Sequence, residues 1–211
     1  MRSIRNLIHL IILVTVFLYA DTGSGEDSSG SLKDHVSGGV NVLLRNELWS
    51  TFQAEGTDTQ RTYDFFLIRA RAYINFEWEN LSVYVMGQGV KAFNLPENAA
   101  FGPGMSYYDA SDQKTSPGNF QFVEAYIHLK NLKGFFLKGG RIGFKDGGQV
   151  LYSDAQKLNW IINERLSERL IGNWDWTLVG RRFDGGSAGY ENNDFNFNIV
   201  GANVTFGGFD I

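Results

Sequence analysis

Arg69 and Arg71 stand two residues apart in a stretch whose alternate positions, Phe66, Ile68, Ala70, Ala72, Ile74 and Phe76, are all apolar. Between them lie Leu67, Tyr73 and Asn75 as well as the two arginines. A period of two marks a β-strand with one greasy and one wet face. A guanidinium is permanently charged and offers a planar fork of donors that matches a carboxylate, so two of them on one strand face are suited to attract or hold anions. Other strand-like stretches supply candidate companions: Arg45, Glu47, Tyr84, Glu124, Tyr126, Arg141 and Arg182. Two readings of the charged set stand side by side. The arginines select anions, or they pair with Glu47 and Glu124 as ladders that brace an interior. Tyr73, Tyr84 and Tyr126 offer rings for stacking sugars, or they pack as a girdle or within the interior.

Catalysis finds little support. The chain has three His, and one of them, His9, sits in the N-terminal apolar run. His128 with Ser82 is the nearest approach to a nucleophile and base, with no third group to orient it. Gly139-Gly140 and Gly147-Gly148 lack the strand, loop and helix context of a phosphate cradle. A net charge of −4 without a basic run argues against nucleic acid as a partner. The absence of Cys removes disulfide frameworks and thiolate metal sites, and no cofactor is expected.

The strands that must position these residues belong to an exported chain. Arg2 and Arg5 precede an almost unbroken apolar run over residues 7–19, and Ala20 begins a small and polar exit, so residues 1–20 resemble a secretory signal peptide cleaved near Ala20. Leu18 is an imperfect residue two before the cut. A membrane anchor is the alternative, but spanning a bilayer takes about 20 apolar residues. Residues 21–37 form a Gly-, Ser- and acid-rich leader. Residues 38–211 carry the β structure.

Seven strands are expected there, near residues 40–54, 62–76, 81–93, 120–130, 135–144, 178–191 and 195–209. In the first, Val42, Leu44, Leu48 and Phe52 oppose Arg45, Glu47, Trp49 and Gln53. In the third, Leu81, Val83 and Val85 oppose Ser82, Tyr84, Met86 and Gln88. In the fourth, Val123, Ala125, Ile127 and Leu129 oppose Glu124, Tyr126 and His128. Lys138 and Arg141 fall on opposite parities, which predicts a bulge, and Asn196 and Asn198 share parity with Val200, Ala202, Val204 and Phe206, which predicts a bulge near Ile199 or a late entry into the apolar zone. Ser153 or Asp154 is placed to cap a short surface helix ending at Leu166, with Leu158, Ile161, Ile162 and Leu166 along one stripe.

The connections, over residues 55–61, 77–80, 94–118, 131–134, 145–176 and 191–194, alternate between longer and very short. In an up-and-down antiparallel sheet this puts tight turns at one end and long loops at the other, the layout of bacterial outer-membrane barrels. A mean hydropathy of −0.20 does not oppose this, because a tilted barrel strand turns alternate residues to water. The 25 Gly and only three Pro fit as well. An arginine facing lipid at the midplane costs roughly 2–4 kcal/mol, so Arg69 and Arg71 are expected to face the lumen. Seven strands is an odd number and the end lacks a terminal aromatic, so the chain is expected to be the first part of a larger barrel.

The segments Arg69-Ala-Arg71, Asn80-Leu-Ser-Val-Tyr84, Glu124-Ala-Tyr126-Ile-His-Leu129, Gly140-Arg141, Arg169-Leu-Ile-Gly172 with Trp176, and Arg182-Phe-Asp-Gly185 resemble, in order and strand placement, the alginate-export family of outer-membrane barrels. The chain departs from that family by an apparent insertion over residues 145–168 and by Gly186-Ser-Ala-Gly189 where lumen arginines often follow. The resemblance implies a monomeric barrel of the bacterial outer membrane, with a basic lumen that passes an anionic polysaccharide.

The combined expectation is an all-β, antiparallel up-and-down transmembrane barrel forming a passive channel for an alginate-like polysaccharide or another anionic solute. Outer-membrane lipid is its surroundings, and a periplasmic delivery partner is left open. The alternative is a small β-barrel or β-sandwich that binds or scaffolds and conducts nothing.

Overall fold

The alternating stretches fold as strands of a single antiparallel sheet in the computed structural model, which describes residues 13–18, 35–50, 62–99, 101–145, 153–167, 171–192 and 195–206. In chain order they are β1 (Leu13–Leu18), β2 (Val36–Ser50), β3 (Thr62–Trp78), β4 (Leu81–Phe93), β5 (Gly118–Leu132), β6 (Phe135–Ile142), β7 (Arg181–Glu191) and β8 (Asn196–Phe206). Each pairs with its sequence neighbours, so the sheet runs up and down in the order β1 to β8. Among the described residues it is open, with β1 and β8 at its edges, and no second sheet packs on it as a sandwich would require. β2 to β8 match the seven expected strands.

β1 lies within the stretch read as an export signal and pairs from Leu13 opposite Arg45 to Leu18 opposite Val40. The rest of that stretch, the leader up to residue 34, the connection over residues 55–61 and residues 207–211 lie outside the described residues. Val36 and Ser37, assigned to the leader, already belong to β2.

Short turns gather at one end. Trp78 pairs with Leu81 around a two-residue turn with Glu79 at φ 44°. Leu132 pairs with Phe135 around Lys133 and Gly134, whose φ values of 56° and 90° are both positive, as a tight turn matching strand twist demands. The longer connections, residues 94–117 and 143–180, lie at the other end.

The two faces separate as the periodicity predicts. On β3, Tyr63, Phe65, Leu67, Arg69 and Arg71 are buried while Phe66, Ala70, Ala72 and Ile74 are exposed. Register links Trp78, Leu81, Leu129, Leu137, Ala188 and Ile199 into one apolar row across six strands. Leu137 and Ile199 in that row are 53% and 61% exposed, so the outer face is greasy and uncovered.

The bulges fall elsewhere than expected. β7 and β8 pair without a register shift from Arg181 opposite Phe206 to Glu191 opposite Asn196, so no bulge forms near Ile199. β6 likewise runs unbroken against β7. One shift lies between β4 and β5, where Met86 faces Glu124 and Gly87 faces Phe122, leaving Val123 as the extra residue, and a second lies between Leu129 and Leu132 of β5 against β6. Val123 is thereby buried and leaves the outward series of Ala125 and Ile127 in which the sequence placed it.

Parts of both long connections, residues 101–110 and 173–180, fold back over the inner face. Residues 94–117 contain a helix that the sequence reading treated as loop, α1 (Pro103–Asp109), with Pro at its start where the missing N–H costs nothing. A Cβ at Gly104 would stand 2.6 Å from Tyr63 Cε2 and 3.1 Å from Phe65 Cδ1, so only glycine lets the helix approach this closely. Tyr63, Phe65, Leu67, Val90, Ala92, Leu95, Tyr107, Leu178 and Val179 form the apolar core. Leu178 and Val179, expected to open the sixth strand, belong to this core instead. Burial there outweighs extending the ladder, and Gly180 at φ 69° turns the chain into β7.

The other loop carries α2 (Gln156–Ile161), continued by a π-turn over Ile162–Leu166. The helix is where the sequence places it, but Ala155 holds the cap position and neither Ser153 nor Asp154 caps it. Phe65, fully buried between β3 and α1, is the keystone of the core: Phe65→Ala is expected to cost roughly 3–5 kcal/mol in urea unfolding, whereas Ile74→Ala on the uncovered face costs far less in the same measurement.

Candidate functional site

The inner face of β2 to β5 meets the segment 173–180 in a belt of arginines. Arg69 Nη1 donates to the carbonyls of Asp175 at 3.0 Å and Thr177 at 2.8 Å. Arg71 Nε donates to Gln88 Oε1 at 2.6 Å, across the β3–β4 register, and its Nη2 meets Asp175 Oδ1 at 2.7 Å. Gln88 Nε2 in turn donates to the Val179 carbonyl at 2.9 Å. Arg182, at the start of β7, reaches Glu124 Oε1 at 2.8 Å and Asp175 Oδ1 at 3.2 Å. Arg45 Nη1 holds the Trp176 carbonyl at 2.7 Å, and its Nη2 pairs with Glu47 at 2.7 Å. The Leu178 N–H donates to Tyr107 Oη at 3.0 Å, tying the same segment to α1.

The arginines are deeply sequestered, with Arg69, Arg71 and Arg182 at 6%, 9% and 2% exposure. A guanidinium removed from water needs both charge and hydrogen bonds returned to it. Asp175 supplies charge to Arg71 and Arg182, and Glu124 to Arg182. Among the described residues Arg69 hydrogen-bonds to neutral carbonyls and shares the Asp175 charge only at longer range, and its Nε and that of Arg45 are buried without a hydrogen-bond partner.

Burial by itself would raise the Asp175 carboxyl, but the Arg182 and Arg71 guanidinium groups outweigh it and hold the group down at about 2. Burial pushes the Tyr107 phenol up against the opposing hydrogen bond from Leu178.

Toward the short-turn end, Tyr73, Tyr84 and Tyr126 form a stacked row. Ring centroids are 5.4 Å apart for the first pair and 5.1 Å for the second, with interplanar angles of 23° and 16°. Lys138 Nζ lies 3.8 Å over the Tyr126 ring. At the other end the Tyr73 ring covers Gly39, where a Cβ would come within 2.7 Å of its Cε1. Ring faces are thus spent on one another, on glycine and on an ammonium group. The packing reading of these tyrosines fits this geometry better than the sugar-stacking one, since mainly edges and hydroxyls remain to face the interior.

Of the residues singled out from sequence, Arg45, Glu47, Arg69, Arg71, Glu124 and Arg182 are brought together around one loop segment. Tyr73, Tyr84 and Tyr126 share their own row. Arg141 stands apart: it grips Asp184 through Nε at 2.7 Å and Nη2 at 2.8 Å and donates to the Phe122 carbonyl at 3.0 Å. Asp175, Gln88 and Tyr107 were not singled out. Gln88 shows in its alternation with Met86 and Val90, but Asp175, between Trp174 and Trp176 in an aperiodic loop, gives no sign of what it touches. Among the described residues no cluster of His, Asp or Glu has metal-holding geometry.

An unfolded aspartate titrates near about 3.9, and Asp175 in the folded chain lies below that, so its ionised form favours the docked loop. The stabilisation is complete above about pH 4 and is lost as pH falls through about 2. Emission from Trp174 and Trp176 is expected to report loop release over that window, and Asp175→Asn to remove the transition.

No family model, curated protein or solved structure matches this chain.

Proposed function

We propose that the chain forms part of an outer-membrane β-barrel that passes anionic solutes, an acidic polysaccharide among them, through an arginine-lined lumen. The observation that carries this is the two-sided sheet. An apolar row runs uncovered across six strands, while the opposite face buries Arg69 and Arg71. In water such an exposed apolar expanse is unfavourable, whereas in a bilayer it is the lipid contact surface. A spanning sheet must also satisfy its edge groups, so β8 at one edge and, once a cleaved export signal removes β1, β2 at the other require further strands or a partner to close the cylinder. The sorting of short turns to one end and long loops to the other supports the same topology. A belt of guanidinium groups around an aqueous path favours anions and repels cations. The segment resemblance to the alginate-export family agrees with a uronate polymer as cargo.

A second reading, a non-conducting barrel that binds or scaffolds, is favoured by one observation: the belt is occupied by the chain's own loop. Planar-bilayer recordings of the full-length protein separate the two. The channel reading expects a zero-current potential displaced toward chloride under a KCl gradient, and Arg69→Ala with Arg71→Ala is expected to reduce that preference several-fold while strand content by circular dichroism is kept. A cation preference, or no current from correctly inserted protein, overturns it.

A further inference from the structure

We infer that Asp175 is a resident surrogate ligand: its carboxylate fills a carboxylate-binding site formed by Arg71 and Arg182, and a carboxylate-bearing solute binds by displacing it and lifting the segment 173–180 from the arginine belt. The inference deepens the channel reading and rests on it only for the solute's route to the site.

The geometry is that of a built site. One oxygen, Asp175 Oδ1, receives Arg71 Nη2 at 2.7 Å and Arg182 Nη1 at 3.2 Å. Both arginines are more than nine-tenths buried, and each is aimed by a second partner, Arg71 by Gln88 and Arg182 by Glu124. The site is therefore held by residues of β3, β4, β5 and β7, whereas its occupant comes from a loop. Asp175 is the more accessible partner, with 30% of its side chain open against 10% for Arg71. Solvent therefore touches the Asp175 side of the ion pair more than the Arg71 side.

A second observation points to a ligand beyond Asp175. Arg69 pairs with no carboxylate among the described residues, and its buried Nε donates to nothing. A buried guanidinium with an unbonded N–H and no carboxylate in direct contact is costly, and an arriving anion bearing more than one oxygen acceptor would meet it while the carbonyls of 175, 177 and 178 withdraw. Exchange of one carboxylate for another on Arg71 and Arg182 conserves the charge-assisted bonds, so the loop is released without exposing either arginine unpaired. Chloride, a single point acceptor, does not match the forked donors in this way.

The test uses the full-length protein in lipid vesicles, titrated with trigalacturonate and followed by emission from Trp174 and Trp176, with Trp49, Trp78 and Trp160 replaced by Phe. Saturable binding is expected in the parent protein. Asp175→Asn, which keeps the shape and removes the competing charge, is expected to bind roughly tenfold more tightly, as a site freed of its occupant should. Arg71→Gln in the Asp175→Asn background is expected to abolish binding, and neutral maltotriose to give no response in any variant. Equal affinity in parent and Asp175→Asn, or no saturable response in either, overturns the inference. Bilayer recordings of the same proteins keep the two proposals separable. Anion-selective current with unchanged trigalacturonate affinity sinks the surrogate and leaves the channel. Tightened binding without current keeps the site and sinks the channel.

Discussion

Placing guanidinium groups on the inner face of a sheet creates a demand that the sheet cannot meet alone. Strand backbones are already paired with their neighbours, and the ladder sets Arg69 between Leu43 and Val90 and Arg71 between Asn41 and Gln88, with no carboxylate directly across from either. The missing acceptors come from residues 173–180, whose backbone is not in a ladder and so has free carbonyls. That requirement decides where the loop goes, why Leu178 and Val179 reach the apolar core, and why β7 begins at Arg181.

Because the loop answers the arginines, core and charged belt are one construction. Tyr107 on α1 accepts from the Leu178 N–H, so the two long loops are tied to each other as well as to the strands. The apolar core lies nearer the long-loop end and the tyrosine row nearer the turns, with the arginines between. This order puts the charges away from both rims of the inner face, where water would screen them most.

The outer face obeys a simpler rule. Its residues pair in apolar rows, and Phe66, Ile74, Ile127, Leu137 and Ile199 among them stay exposed. Glycine serves the inner face in a different way. At Gly39 the absent side chain makes room for Tyr73, which is the aromatic cover that a glycine in a strand otherwise lacks.

Much of this was written in local pattern. Period-two alternation is a geometric consequence of the pleat, so the inward side of Arg45, Arg69 and Arg71 and the outward side of Ile74 and Ile127 were legible from residue order, as was the sorting of short and long connections. Parity could not say where an extra residue enters a strand, since a bulge is set by how two strands pair; the extra residue is Val123, opposite the Met86/Gly87 step, and none enters near Ile199. Nor could it place Arg141, whose partner Asp184 is distant in sequence and adjacent only through the β6–β7 register. The fate of the belt belonged wholly to tertiary structure. Asp175 sits in an aperiodic loop more than a hundred residues from Arg71, and their contact exists because a buried charge must find its counterion wherever the fold can bring one.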